Sequence, residues 1–557
     1  MKEIKSNFGN FLRTTQNSSC TAAGKLRSAG SPARAALGKM FAVTLAFASL
    51  LKPAFSQTVS IPDPGLNAAI RDALHKPSGL LTAQDLLSLT NLIARIRNIS
   101  NLQGLEGAQN LVSLDLAGNR LPSFTLFTQL TNLMVLDLSG NPLTGLAFPN
   151  GQTKLASLNL DGAGLKNLTF PPGFNGLTNL TLEGNELTNF TVPSSLTSLV
   201  ELDLGFNSFT NFSFPPGLSN LSSFYFAGNP LTNIIFPPDM SGMEELNLSQ
   251  CLLTNFTLAT GMTNLEELDL GFNQLTNVNL PSDLQNLSEL VLDFNRFTRL
   301  QLPANLTNLH FLHLRANLFT NFSVPSGLTA LVYLDVSEQP LTNITFNGDL
   351  GNLRSLRLSK NRLRALTLPS GLTNLQAIGL SGNLLTNLVL PSDLNRLDTL
   401  DVGGNALTSL NLPRGLTHLT GLFMAGNQLT TLTLPPDMTN LTALSFLSNP
   451  LTTLVLSQPL AASTNLEVNF FTVSQLRNQG INVITYPPAL NLSSPRRIAT
   501  GAFTFSLTGP PGHYSIQTST NLSNWSAASI VTNAVGTADF TDSGVSRQKF
   551  FRATIAP

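Results

Sequence analysis

The stretch LNLSQCLLTNF at residues 246–256 decides the fold, because it belongs to a unit that recurs every 22 residues. Cys251 in this stretch is the one cysteine of residues 57–557, and a solitary cysteine raises the question of a catalytic thiol. Steps of 22 residues from Cys251 in both directions pass through 16 positions without an insertion or deletion, and 13 of them are asparagine. Cys251 therefore stands in the place of a structural asparagine, and no triad-like arrangement surrounds it.

The unit reads LxxLxLxxNxLTNLxLPxxLTN, and its apolar positions are stricter than its polar ones. The positions five before, three before and two after the asparagine are apolar in all sixteen units. The LxL segment alternates as a half-buried strand does. A single turn of this size cannot bury its own leucines, so neighbouring turns must stack around one continuous core. The pattern predicts a solenoid.

The recurring asparagine is predicted to form a structural ladder where the chain bends away from the strand. Its amide offers two donors and an acceptor, which can pair with backbone groups of adjacent turns. Loss of such a partner inside a core costs about 1–3 kcal/mol. The predicted ladder consists of Asn119, Asn141, Asn185, Asn207, Asn229, Cys251, Asn273, Asn295, Asn317, Asn361, Asn383, Asn405, Asn427 and Asn449.

The outer side of each turn is predicted to be extended. The segment LTNFTVP at residues 187–193 alternates again, and proline stands at its last position in twelve of sixteen units. Proline removes a backbone donor and breaks a helix. The solenoid is therefore expected to be predominantly β, with little helix on its convex side.

This pattern resembles the bacterial leucine-rich repeat family over about 350 residues. Upstream, IPDPGLNAAIRDALHK looks like the start of the helical N-terminal cap of internalin-like proteins, with one helix beginning at Asp63-Pro64 and another at Thr82. The resemblance implies an α/β leucine-rich repeat horseshoe in which strands line the concave face. It also implies that proteins, and sometimes glycans, bind on that face.

The C-terminal part leaves the 22-residue period. After a capping segment, short alternating stretches are separated by Gly, Pro and Asn turns. They resemble a small all-β module at the C-termini of many secreted bacterial proteins, with a Y-I-Q-x-S-T-N-L-x-N-W core. The predicted domains are a leader at 1–56, a helical cap with the first turn at 57–110, repeats at 111–456, a C-terminal cap at 457–489 and a β-sandwich-like module at 490–557.

The leader predicts secretion or a place on the cell surface. Arg34 and Lys39 precede MFAVTLAFASLL, which is too short to span a bilayer and fits a signal peptide cleaved near Ser56. Met40 is an alternative start. Residues 1–56 contain eight of the 31 Lys and Arg and one of the 31 Asp and Glu, so the mature chain would have a net charge of −7. Nucleic acid is therefore not an expected partner, and no transmembrane segment is expected in the mature chain.

The concave face is predicted from the side chains that flank the strand leucines. Positions six, four and two before the ladder are mostly acidic in the first nine units and small and neutral in the last ones. Aromatic and arginine residues, which are enriched in binding hot spots, cluster between these two regions. The predicted ligand-binding residues are Phe311, His313, Arg315, Tyr333, Asp335 and Arg357.

Catalysis is not expected. His310 and His313 are three apart on a strand and so point to opposite faces, unlike a helical metal pair. The acidic residues recur with the repeat, which favours a charged face over a glycosidase pair. We expect no cofactor and no metal, a monomer, and an extracellular protein or polysaccharide as the partner. The alternative is a structural envelope or matrix component whose solenoid is a spacer, with the six residues above merely solvated.

Overall fold

A computed structural model describes residues 57–150, 153–238, 240–469, 471–544 and 548–556. The predicted leader, with its cleavage site near Ser56, lies outside these residues. Among the described residues, no helix has the length and apolar character needed to cross a membrane. Residues 57–59 and 80–84 belong to a small unit of their own, in which Val59 N–H donates to Leu81 O at 2.8 Å. The other described residues form a second unit.

The second unit is built on a main sheet of 18 parallel strands. Consecutive repeats pair with a shift of 22 residues, so that Leu246 lies beside Leu268 and Leu268 beside Leu290. The central residue of nearly every strand is buried, whereas its two neighbours are mostly partly exposed. The strands are Asn91–Ile93, Ser113–Asp115, Val135–Asp137, Ser157–Asn159, Asn179–Thr181, Glu201–Asp203, Ser223–Tyr225, Glu245–Asn247, Glu267–Asp269, Glu289–Val291, Phe311–His313, Tyr333–Asp335, Ser355–Arg357, Ala377–Gly379, Thr399–Asp401, Gly421–Phe423, Ala443–Ser445 and Glu467–Val468.

The outer side of the turns is extended, as the prolines predict. No helix occurs among the described residues between 111 and 456. Short parallel strands pair there between neighbouring turns. They are Ser123–Thr125 with Gly145–Ala147, Asn255–Thr257 with Asn277–Asn279, Asn321–Val324 with Asn343–Phe346, and Thr431–Thr433 with Thr453–Ser457, which also pairs with Asn482–Tyr486. The predicted solenoid, predominantly β with little helix on the convex side, is confirmed.

Short helices occur at both ends of the repeats. The helices are Pro64–Ala73, Ala83–Leu87, Gln458–Ala461 and Val473–Asn478, with a 3-10 turn at Leu105–Gly107. Asp63 caps the first helix by accepting from Leu66 N–H at 3.0 Å, and its other carboxylate oxygen accepts from Ser100 N–H at 2.9 Å. At the far end, the buried Tyr486 hydroxyl donates to Leu434 O at 2.5 Å. These contacts tie each terminal segment to the repeats.

The C-terminal module consists of antiparallel strands in two three-stranded sheets. Its small core contains Phe505, Leu507, Tyr514, Ile516 and Phe540. Such a core matches the predicted small all-β module. The strands are Asn491–Arg497, Phe503–Thr508, Gly512–Ser519, Ser526–Asn533, Thr537–Asp542 and Phe550–Ile555.

The recurring asparagine connects adjacent turns from inside the core. Asn273 Nδ2 donates to Leu248 O at 2.9 Å in the preceding turn and to Leu270 O at 3.0 Å in its own. Its Oδ1 accepts from Leu253 N–H at 3.1 Å. One side chain therefore satisfies three backbone groups that the bend leaves without a sheet partner.

Cys251 reproduces this arrangement only weakly. Its Sγ lies 3.7 Å from Phe226 O and 3.6 Å from Ser249 O. The Leu231 N–H, which an asparagine at position 251 would bind, instead donates to Asn229 O at 2.8 Å. Burial raises the pKa of the Cys251 thiol to about 11, so the thiol stays protonated at neutral pH and is a poor nucleophile.

A second asparagine ladder, which was not predicted from the sequence, lies just before the strands of the main sheet, whereas the first ladder lies just after them. Its members stand nine residues before the first ladder, in the final LTN of the consensus. Each donates from Nδ2 to a carbonyl 23 residues earlier, and most are exposed. They are Asn110, Asn132, Asn220, Asn286, Asn308, Asn352, Asn374 and Asn440.

The residue immediately before each ladder position has a left-handed backbone in all sixteen units. Glycine, which adopts this conformation freely, occupies eight of these bend positions. A side chain there costs about 1–2 kcal/mol per residue. The other eight are Phe206, Gln250, Phe272, Phe294, Ala316, Glu338, Lys360 and Ser448.

We predict that Cys251→Asn stabilises the protein. The new amide would donate to Phe226 O and accept from Leu231 N–H, and should raise the free energy of unfolding by about 1–3 kcal/mol. The urea midpoint measures this change if the slope of the transition is unchanged. The matched control, Asn273→Cys, should lower the midpoint by a similar amount. An unchanged midpoint in both variants would show that the ladder does not limit stability.

Candidate functional site

The first nine repeats present a column of carboxylates on the main sheet. Asp203 lies in its centre. Burial, and after it the nearby charges of Glu183, Asp161 and Glu201, raise the pKa of Asp203 to about 7, against the opposing hydrogen bond from Gly205 N–H. Carboxylates of the column are therefore partly removed from water and close enough to repel one another when they are ionised.

Asp161 belongs to this column, although the sequence analysis omitted it. Its Oδ1 accepts from Glu183 N–H at 2.8 Å in the next turn, and burial raises its pKa. Its ladder position holds alanine rather than asparagine, but a step of 22 residues back from Glu183 reaches it. Tyr225, also omitted, lies in the same region and donates from its hydroxyl to Glu245.

The carboxylates at the N-terminal end of the acidic column differ from those farther along in whether a cation pairs with them. At the N-terminal end, Asp115 is neutralised by Arg95, whose Nε lies 2.8 Å from Asp115 Oδ2. Farther along, burial and then mutual repulsion with Glu289 raise the pKa of Glu267. In the centre of the column, carboxylates such as Asp203 and Glu267 therefore have other carboxylates as their main charged neighbours.

The predicted ligand-binding residues come together in two rows across neighbouring strands. Phe311 pairs with Tyr333 in one row, and His313 pairs with Asp335, which pairs with Arg357, in the other. The His313 and Tyr333 ring centroids are 4.8 Å apart, and those of Phe311 and Tyr333 are 6.4 Å apart. The Arg357 guanidinium lies 5.4 Å from the Tyr333 ring centroid, within cation–π range.

His313 lies among carboxylates. Burial alone would lower its pKa, but Glu289, Asp293 and Asp335 raise it above the ordinary value. The His313 Nε2 to Glu289 Oε1 distance is 3.4 Å, an ion-pair distance rather than a good hydrogen bond. Burial raises the pKa of Asp293 to about 6. His313 therefore holds its proton more strongly than an ordinary imidazole does, and in its charged form it offsets part of the acidic charge.

Asp335 is less accessible to a ligand than the sequence pattern suggested. It is only 5% exposed, and its Oδ1 accepts from Ser337 N–H at 2.9 Å. Its Oδ2 accepts from the Tyr333 hydroxyl at 3.2 Å. Asp335 therefore positions Tyr333. The 22-residue period places Asp335 in the row with His313 and Arg357, but it does not show that Tyr333 and Ser337 cover the Asp335 side chain.

Arg315 also differs from the expectation, because its side chain turns toward the bend. Its Nε donates to Glu338 Oε2 at 3.0 Å, and its guanidinium lies 5.4 Å from the Phe294 ring centroid. Lys360 Nζ donates to the other Glu338 oxygen at 2.6 Å. The two cations lower the pKa of Glu338. The five remaining predicted residues form the patch, and Arg315 connects it to the bend.

A shallow depression of about 310 Å³ lies beside the patch. It arises because the next turns carry small side chains on the main sheet. It is lined by Arg315, Asp335, Ser337, Glu338, Ser355, Arg357, Ser359, Lys360, Ala377, Ile378, Gly379, Thr399 and Asp401. Within the described ranges, no group of three or more His, Cys, Asp and Glu is arranged to hold a metal ion.

Several solved structures share this fold. YopM from Yersinia enterocolitica is 24% identical, with a TM-score of 0.51 over 72% of this chain and 88% of YopM. A chain of the Drosophila Toll–Spätzle complex is 20% identical, with a TM-score of 0.50 over 75% of this chain and 66% of that one. InlJ from Listeria monocytogenes is 20% identical, with a TM-score of 0.49 over 82% of this chain and 96% of that one. At these low identities, YopM and the Toll–Spätzle chain show a shared fold alone. No curated protein is similar to the chain at a significant level.

A comparison with protein families identifies the repeats themselves. The model of the BspA-type leucine-rich repeat region matches residues 137–246, 204–319, 297–402, 336–454 and 402–484, which together span more than half of the sequence. The chain therefore belongs to the BspA-type leucine-rich repeat family.

Proposed function

We propose that this protein is a secreted or cell-surface, non-catalytic binding module. Its partner is a macromolecule, an extracellular protein or a polysaccharide, which contacts the concave face of the main sheet. Leucine-rich repeat solenoids present extended concave surfaces of this kind for binding. The proposed contact residues are Phe311, His313, Arg315, Tyr333 and Arg357, with Asp335 as a positioning residue.

One observation carries this proposal. Arg357 is exposed, stacks on Tyr333, and has no ion-pair partner among the described residues. Phe311, which pairs with Tyr333 on the next strand, is 40% exposed. An aromatic and cationic cluster on a strand face contributes little to folding, whereas such residues dominate the energetics of interfaces. The patch also interrupts a surface that is otherwise acidic or small.

The patch proposal predicts a loss of binding in a Phe311→Ala/Arg357→Glu variant. The purified full chain is tested against an array of extracellular proteins and envelope polysaccharides. A ligand of the wild-type protein should bind the variant at least tenfold more weakly, because central aromatic and arginine contacts cost more than 1 kcal/mol when removed.

Arg354→Glu is the matched control, because Arg354 is an exposed arginine of the same turn just outside the strand Ser355–Arg357. It makes the same charge change and should leave binding intact. Undiminished binding by the double variant would place the site elsewhere. A wild-type chain that binds nothing on the array would favour the structural spacer.

The acidic column predicts that stability falls as pH rises. The pKa values of Asp203, Asp293 and His313 are all raised in the folded protein. The folded state therefore binds more protons than the unfolded state, and the stability present below the unfolded pKa values is lost as pH rises through the folded ones. Between about pH 5 and pH 8, the urea midpoint should decrease.

Asp203→Asn should flatten this pH dependence, because the amide oxygen can still accept from Gly205 N–H, which lies 2.8 Å from Asp203 Oδ1. At alkaline pH the variant should be more stable than wild type by about 1–2 kcal/mol, after allowance for solvent screening. Asp115→Asn is the control at the equivalent position, and it should not stabilise, because Asp115 is paired with Arg95. Equal effects of the two variants would contradict the repulsion described above.

A further inference from the structure

The bend positions of the central repeats carry side chains where glycine would suffice. Six consecutive units, from Gln250 to Lys360, lack glycine at this left-handed position. Eight other units have glycine there with a similar backbone, so the fold itself does not require a side chain. Strained residues that persist in one region point to a use for their side chains.

Two residues of this run, Phe272 and Phe294, are phenylalanines, and a third phenylalanine, Phe206, stands at the bend of an earlier unit. All three are at least partly exposed. Phe206 is 48% exposed and Phe272 is 53% exposed. Phe272 and Phe294 stack with centroids 4.3 Å apart and planes 9° from parallel. We call Phe206, Phe272 and Phe294 the aromatic ridge. The ridge adds little to the core, because at least two of its rings leave about half of their surface in water.

Gly228, the bend residue of the turn after Phe206, leaves room for the Phe206 ring. A Cβ at Gly228 would lie 2.6 Å from Phe206 Cδ1. The Phe206 ring therefore occupies the space that the side chain of any other residue at position 228 would need. Leu252 and Leu318, which follow the ladder positions, extend the apolar character of this edge at 44% and 47% exposure.

The charged bend residues are satisfied by one another, unlike the ridge. Glu338 binds both Arg315 and Lys360. The ion pairs occupy the C-terminal end of this run of bends, and the stacked pair Phe272 and Phe294 precedes them. The open part of the edge is therefore apolar.

The geometry of the rings and the charge beside them define the partner. Stacking covers one face of Phe272 and one face of Phe294, and Arg315 lies over the Phe294 ring, so the pair offers fewer free ring faces to a sugar than two separate rings would. Apolar side chains can pack against the surface that remains. The strands of the same turns carry Glu267, Asp269 and Glu289, and Asp293 follows two residues after the last of these strands. Their like charges favour a cationic surface opposite them.

We propose that the aromatic ridge and the adjacent carboxylates form a docking surface for a basic protein segment. Apolar side chains of that segment pack against Phe206, Phe272 and Phe294, while its Lys and Arg side chains face the acidic column. This inference rests on the proposed binding function, and it assigns the partner to protein rather than polysaccharide.

The test uses a displayed library of random dodecapeptides selected on the full-length wild-type chain. Enriched peptides should combine Lys or Arg with aromatic or aliphatic residues, and their binding should weaken as salt increases. A Phe272→Gly/Phe294→Gly variant should bind them at least tenfold more weakly. Ala316→Gly, which removes the same backbone strain outside the ridge, should bind them as wild type does.

The double-glycine variant also separates binding from folding. Because glycine relieves the left-handed strain, its urea midpoint should equal or exceed that of the wild-type protein. A lower midpoint would show that the ridge serves the fold, and would overturn the inference. Enriched peptides without positive charge, full binding by the double-glycine variant, or no enriched peptide would overturn it as well.

Failure of this inference is distinguishable from failure of the binding function. Loss of ligand binding only in Phe311→Ala/Arg357→Glu would leave the concave patch standing and remove the ridge. A polysaccharide bound by wild type and lost in the double-glycine variant would make the ridge a glycan site and overturn the protein partner. A wild-type chain that binds neither peptides nor the array ligands would overturn both.

Discussion

The structure depends on a buried amide at the bend of each turn. A strand of three residues cannot satisfy the backbone on either side of it, and the chain must leave the sheet inside an apolar core. The asparagine side chain joins the backbones of two turns there through its donors and its acceptor, as Asn273 does with Leu248, Leu253 and Leu270. Because each such contact is local, turns add one after another around a continuous leucine core. Of the three units without asparagine, the one with Gln339 keeps part of the ladder, since Gln339 Nε2 donates to Leu314 O at 2.6 Å. All three units have asparagine in the units on both sides.

Stacking also controls the chemistry of the surface. Residues 22 apart lie side by side at the spacing of neighbouring strands, about 4.8 Å, so any charge that recurs in the repeat meets its own copy. The central carboxylates show the consequence, since burial and mutual repulsion raise the pKa of Asp203 and Glu267. Where the repeat changes to His313, Tyr333 and Arg357, this repulsion is relieved and different chemistry becomes available. The proposed binding residues are departures from the repeat.

The bend positions also depart from the repeat, here in the residue that adopts a left-handed backbone conformation. Gly118 and Phe272 have nearly the same left-handed conformation, with φ of 66° and 55°, yet only the glycine adopts it without strain. The fold tolerates the substitution because contacts with the turns on either side hold the bend in place. The folded state therefore bears the free-energy cost of the strain, and the side chains at these bends extend beyond the core.

The amino-acid sequence by itself determined the period, the stacking of the turns, the first asparagine ladder and the rows in which surface residues are neighbours. It did so because a strict 22-residue repeat sets the register of every strand pair, as with Leu246 and Leu268. Only the tertiary structure decided which side chains in those rows reach solvent. Asp335 is covered by its contacts with Ser337 and Tyr333, and Arg315 turns to Glu338. The left-handed bends, the second ladder and the aromatic ridge also emerged only there. Periodicity specifies which residues are adjacent, whereas burial, backbone conformation and competition for hydrogen-bond partners depend on the positions of all the surrounding atoms.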